Sequence, residues 1–197
     1  MESISAIQAQ NKIKESGLKF VTLEEVMKLT GVKNKNTAHK MLLRWVKYGI
    51  LERCSRGIYL VTNASPSDFE IANKLVKPSY ISLETALNYY GILPQFPYVI
   101  SSITAGKTRS VKIKGKEFEY ASLAKNLYWG YEKIDEAIIA QPEKAVIDYL
   151  YLAAKGLRQP DIGEWDLSKI DKTRLNEYIK KVNYAPFVNL IKKVSLI

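Results

Sequence analysis

One cysteine and one histidine occur in 197 residues. The lone cysteine, Cys54, excludes an internal disulfide and fits a reducing compartment; packing in a small core is its expected role. The lone histidine, His39, falls in a lysine-rich helical stretch, which leaves none for a histidine metal centre or a Ser-His-Asp triad elsewhere. Neither GxxxxGK[ST] nor GxGxxG is present, so the glycine loops that cradle phosphates are missing. No run approaches the roughly 20 apolar residues of a bilayer span. The first residues, MESISAIQAQNKIKESG, lack a basic-then-apolar secretory pattern, so a cytoplasmic location is expected. No internal repeat or low-complexity tract appears.

What is present is an ordinary globular composition, 47% hydrophobic and 25% charged, with an excess of cations. The net charge of +10 is uneven. Residues 1–62 hold eleven Lys/Arg against five Asp/Glu, and the remaining 135 hold nineteen against fifteen. More than half of the excess therefore lies in less than a third of the length, which favours an N-terminal nucleic-acid module over a generally basic surface.

Within that part, Asn36 to Tyr48 (NTAHKMLLRWVKY) organises the reading. As a helix it places Thr37, Lys40, Arg44 and Lys47 along one side and Ala38, Met41, Leu42, Trp45 and Val46 along the other. A cationic ridge above an apolar base suits a helix lying in a DNA major groove while docked on a small core. The plain alternative is a solvated lysine face. Upstream, residues 3–16 predict a first helix carrying Ile4, Ile7 and Ile13. Thr22-Leu-Glu-Glu25 forms a capping box before a second helix that ends at Gly31. Asn34 or Asn36 caps the third helix. Two β-prone runs then flank Ser55-Arg56-Gly57, a hairpin with a basic tip. This order is that of a winged helix-turn-helix, with Arg53 and Arg56 carried on the wing to phosphates or a minor groove.

Asn63-Ala-Ser-Pro66 is turn-rich and marks a boundary between a domain over 1–62 and a second over 67–197. The second opens with a capping box at Ser67-Asp-Phe-Glu70. A helix from Ser82 to Gly91 follows, then a strand over 98–105 and a hairpin around Lys114-Gly115-Lys116. Another strand is read over 128–134. Gln141-Pro142-Glu143 begins a broad-faced core helix, and two more helices close the chain. The expected class is α+β, the second domain being mixed with a small antiparallel sheet and C-terminal helices.

Residues 80–109 (YISLETALNYYGILPQFPYVISSITAGKTR) resemble the core of AbiEi-type antitoxins of type IV toxin–antitoxin systems. Tyr80 to Leu87, Tyr90-Gly91 and Lys107 to Arg109 carry the likeness. It continues in Ala140 to Val146 and Asp148, and, in the N-terminal part, in Leu51-Glu-Arg53 and Gly57-Ile-Tyr59. The resemblance implies an antitoxin encoded beside a nucleotidyltransferase-like toxin, acting without a stable toxin–antitoxin complex. It also implies autorepression through promoter inverted repeats in double-stranded DNA.

The expected DNA contacts are Asn36, Thr37, Lys40, Arg44, Lys47, Arg53 and Arg56. On the antitoxin side, Lys107 and Arg109 stand at a strand end where cations could meet a phosphate, with Lys112, Lys114 and Lys116 extending the patch. The alternative for those lysines is keeping a sheet edge soluble. No cofactor, metal or catalytic residue is expected. Glu84, Asp135, Glu143 and Asp148 are more economically read as solvated charges or ion pairs than as metal ligands. Most of the thirteen tyrosines are read as packing rather than base stacking. Two rival functions are a plain regulator with a ligand-binding or dimerising second domain and a metal-dependent nucleic-acid-processing enzyme.

Overall fold

In the computed structural model, residues 6–113 and 115–194 are described. The chain divides into two compact units, Met1–Pro66 and Ser67–Ile197, and the fold is mixed α+β.

Unit 1 runs α1 (Ala6–Ser16), β1 (Phe20–Val21), α2 (Leu23–Thr30), α3 (Lys35–Lys47), β2 (Leu51–Ser55) and β3 (Ile58–Val61). The capping box forms as read: Thr22 accepts from the Glu25 amide, and the Glu25 carboxylate accepts from the Thr22 amide at 2.5 Å. Gly31, at φ 73°, supplies the left-handed residue that ends α2. Asn34 is the cap of α3; its side-chain oxygen accepts from the amides of Asn36 and Thr37 at 2.9 and 3.1 Å. β1 joins the hairpin, giving an antiparallel sheet in the order β1-β3-β2. The core gathers Ala9, Ile13, Val21, Val26, Ala38, Leu42, Trp45, Ile50, Leu51 and Tyr59. Ile4 lies outside the described residues; Ile7 is 70% exposed, and Ala9 joins Ile13 on the buried side one turn apart.

Unit 2 runs α4 (Asp68–Leu75), β4 (Ser79–Ile81), α5 (Leu83–Tyr89), β5 (Val99–Thr104), β6 (Arg109–Ile113), β7 (Lys116–Ser122), β8 (Tyr131–Ile134), β9 (Ala137–Ala140), α6 (Pro142–Ala154), α7 (Lys172–Lys180) and α8 (Ala185–Lys193). Its sheet has six strands in the order β6-β7-β5-β4-β9-β8, and it is mixed: β5 pairs with β7 and β4 with β9 in parallel, the other neighbours antiparallel. This corrects the expected small antiparallel sheet. Ile81, Ser102 and Tyr120 align across β4, β5 and β7, and the Tyr120 hydroxyl donates to the Ala72 carbonyl, so that face meets α4. Tyr80 is one residue out of phase and therefore points to the opposite face, where it meets α6.

Candidate nucleic-acid interface and a buried charge centre

The periodicity of α3 decides what unit 1 presents. Ala38, Leu42 and Trp45 are buried, 1% exposed or less. At 3.6 residues per turn, the line opposite them runs through Asn36, Lys40, Leu43 and Lys47. All four are exposed. Thr37 and Arg44 form one exposed flank and His39 the other. Met41 and Val46 are half-buried against the core.

The hairpin is sewn to the end of this helix. The Ile50 amide donates to the Trp45 carbonyl at 3.0 Å, and the Thr62 hydroxyl donates to the Gly49 carbonyl at 2.6 Å. Arg53 and Arg56 are exposed on it, and Gly57, at φ 77°, turns the chain between them and Ile58. The register shifts between Arg53 and Ser55, an irregularity that tightens the local twist next to the basic tip. Cys54 is half-buried on β2.

The cations proposed for the antitoxin side are spread out. Lys107 is exposed in the loop after β5, and Arg109 opens the edge strand β6. Arg109 and Lys112 are three residues apart, so strand alternation sends them to opposite faces. Lys112 pairs across the ladder with Glu117, and Lys116 reaches Asp68 at 2.5 Å. Lys114 lies outside the described residues.

Three of the four carboxylates go to separate partners. Glu84 receives Arg158 Nε at 2.8 Å. Glu143 accepts from the Asp171 amide at 2.9 Å, tying α6 to the cap of α7. Asp135 is in the β8–β9 turn at φ 50°. Asp148 belongs to a centre that sequence reasoning did not assemble. There, Lys144 Nζ donates to Asp148 Oδ1 and, at 3.0 Å, to the Tyr80 hydroxyl. Tyr80 and Ser82 donate to Asp148 Oδ2 at 2.9 and 2.8 Å. Lys144 Nζ also lies 4.9 Å from the centroid of the Trp129 ring, a cation–π contact. All four hydrogen-bonding side chains are 1% exposed or less.

Burial pushes the Asp148 carboxyl above its usual range, although Lys144 and the two hydroxyls pull it back, and the same burial holds Lys144 below its own. Burial and the adjacent carboxylate hold the Tyr80 phenol far above its ordinary value. Each donor is met by an acceptor within the cluster, so the centre ties β4 to α6 rather than offering an open coordination position. Among the described residues no cluster of three or more His, Cys, Asp or Glu has the arrangement of a metal site.

No protein-family model matches the chain, and no curated protein matches it significantly. No described helix is long and apolar enough to cross a membrane.

Proposed function

We propose that the chain is an AbiEi-type antitoxin and autorepressor: unit 1 acts as a winged helix-turn-helix on double-stranded promoter DNA, and unit 2 counteracts a nucleotidyltransferase-like toxin. The observation that carries the DNA part is α3 itself. Its apolar side packs on the core through Ala38, Leu42 and Trp45, while Asn36, Lys40 and Lys47 stand on the opposite side with Thr37 and Arg44 flanking. Such a helix brings charge to phosphates and polar groups to base edges at once. The basic hairpin attached at its C-terminal end supports the same reading. The antitoxin part rests on the resemblance carried by Tyr80 to Leu87 and Ala140 to Asp148.

The test uses the full chain. A reporter driven by the sequence upstream of its own gene, with inverted repeats intact, is expected to be repressed by the wild type and released by a Lys40→Ala, Arg44→Ala, Lys47→Ala triple variant. The same variant is expected to keep rescuing growth when the neighbouring nucleotidyltransferase-like gene is expressed. Repression without rescue by the wild type would identify a plain regulator with a ligand-binding or dimerising second unit.

A further inference from the structure

We propose that Leu43 reads the C5 methyl group of a thymine in the major groove. This rests on the reading of α3 as the DNA-contacting helix and adds the chemistry by which it selects sequence. Leu43 is 50% exposed and lies on the line Asn36–Lys40–Leu43–Lys47, on the side of α3 away from Trp45. Its neighbours one turn away on that side, Lys40 and Lys47, are both exposed cations.

A single exposed apolar side chain is common on protein surfaces. Ile7, 70% exposed on α1, is such a case: its neighbours one turn on, Gln10 and Asn11, are uncharged. Leu43 differs because the lysines on either side of it would draw the sugar–phosphate walls of a groove to the helix and set the leucine against its floor. Leucine has no hydrogen-bonding group, so it discriminates only through apolar contact. The apolar feature of the major-groove floor is the thymine methyl; the minor groove shows none. Uracil lacks that methyl, and the deep, narrow major groove of duplex RNA does not admit side chains, so the inference also commits α3 to DNA over RNA. Asn36, two turns earlier on the same line, is suited to an adenine edge elsewhere in the site.

The experiment begins with the full chain and a pool of random-sequence DNA duplexes, from which bound molecules are enriched. Each thymine of an enriched duplex is then replaced in turn by deoxyuracil, which removes one methyl and leaves pairing intact. For the wild type, one replacement per half-site is expected to weaken binding about fourfold, the worth of one methyl taken out of water. Leu43→Ala is expected to bind thymine and deoxyuracil duplexes equally while keeping the wild-type melting temperature, because the side chain is outside the core. Lys40→Ala serves as the contrast: weaker on every duplex, with its thymine preference retained. Wild-type binding indifferent to every replacement overturns the role of Leu43, as does a Leu43→Ala variant that keeps the full preference. Failure to enrich or bind any duplex overturns the DNA reading itself, and this inference with it.

Discussion

Lys144 and Asp148 lie one turn apart on α6 and meet as an ion pair inside unit 2, both side chains 1% exposed. Tyr80 links the two, donating to the aspartate and accepting from the lysine. The pair joins the sheet to its covering helix and removes both charges from water, so the energetic weight falls on keeping the two together. Removing one member of a buried pair strands the other and typically costs about 3–5 kcal/mol, whereas replacing both with apolar groups of similar volume is often close to neutral. Asp148→Ala is therefore expected to lower the unfolding free energy of unit 2, measured by urea denaturation, by an amount in that range. A Lys144→Met, Asp148→Leu double variant is expected to recover most of the loss. A double variant as unstable as the sum of the two single ones would contradict the pairing.

The backbone of this centre makes a separate prediction. Gly130 has φ 74°, and a Cβ placed there would stand 3.0–3.1 Å from the Lys144 Cβ, Cγ and Cδ atoms. Gly156 has the same φ, with nothing within 4 Å of such a Cβ. Gly156→Ala is expected to cost only left-handed strain, about 1–2 kcal/mol. Gly130→Ala adds overpacking against a lysine that cannot move away, about another 1–3 kcal/mol. Chemical denaturation of the two variants side by side measures the difference, and equal losses would show that Lys144 yields.

These two cases also show where the sequence was readable. The local signals of unit 1 were strong: the Thr22/Glu25 box, the Asn34 cap and the alternation of exposed and buried residues on α3 are all written within a few neighbouring positions. The buried centre was not, because Tyr80 and Asp148 are 68 residues apart and nothing local to Lys144 marks it as buried. β4 and β9 escaped for a related reason. They are three and four residues long and mostly buried, so they lack the alternation that announces a strand. The blocks behind the family resemblance, Tyr80 to Leu87 and Ala140 to Asp148, converge on this centre. The physical role of those blocks in the fold is therefore the clamp between β4 and α6. On α3, residue type does not separate exposed Leu43 from Leu42 beside it, which is buried.

Alkali should loosen unit 2 through its tyrosines. Burial, with the neighbouring Tyr131, pushes the Tyr128 phenol up to about 12, and burial with Asp148 pushes Tyr80 higher still. The unfolded chain releases these protons near pH 10. A raised folded value means that the stabilisation is fully present below pH 10 and is lost as pH rises through the folded value, so stability falls between about pH 10 and pH 12. Urea midpoints over that range are expected to fall for the wild type and less steeply for Tyr128→Phe. Complete phenolate formation near pH 10 in the native protein would contradict this.

Arg44 flanks the exposed line of α3 and is exposed. Arg44→Ala is expected to weaken binding to the duplex upstream of the gene by about 1–3 kcal/mol and to relax selectivity at one base position, as loss of an arginine–guanine contact does. A titration at moderate salt with unchanged affinity would remove Arg44 from the interface.

The central claim is that a cationic helix face grips a double helix, and its salt dependence tests it most directly. Affinity of the full chain for its upstream duplex is measured over a range of salt concentrations for the wild type, Lys40→Ala and Lys47→Ala. The account predicts a steep loss of affinity with salt, and a log–log slope shallower by about one for each lysine removed. Slopes and affinities unchanged by either substitution would contradict it.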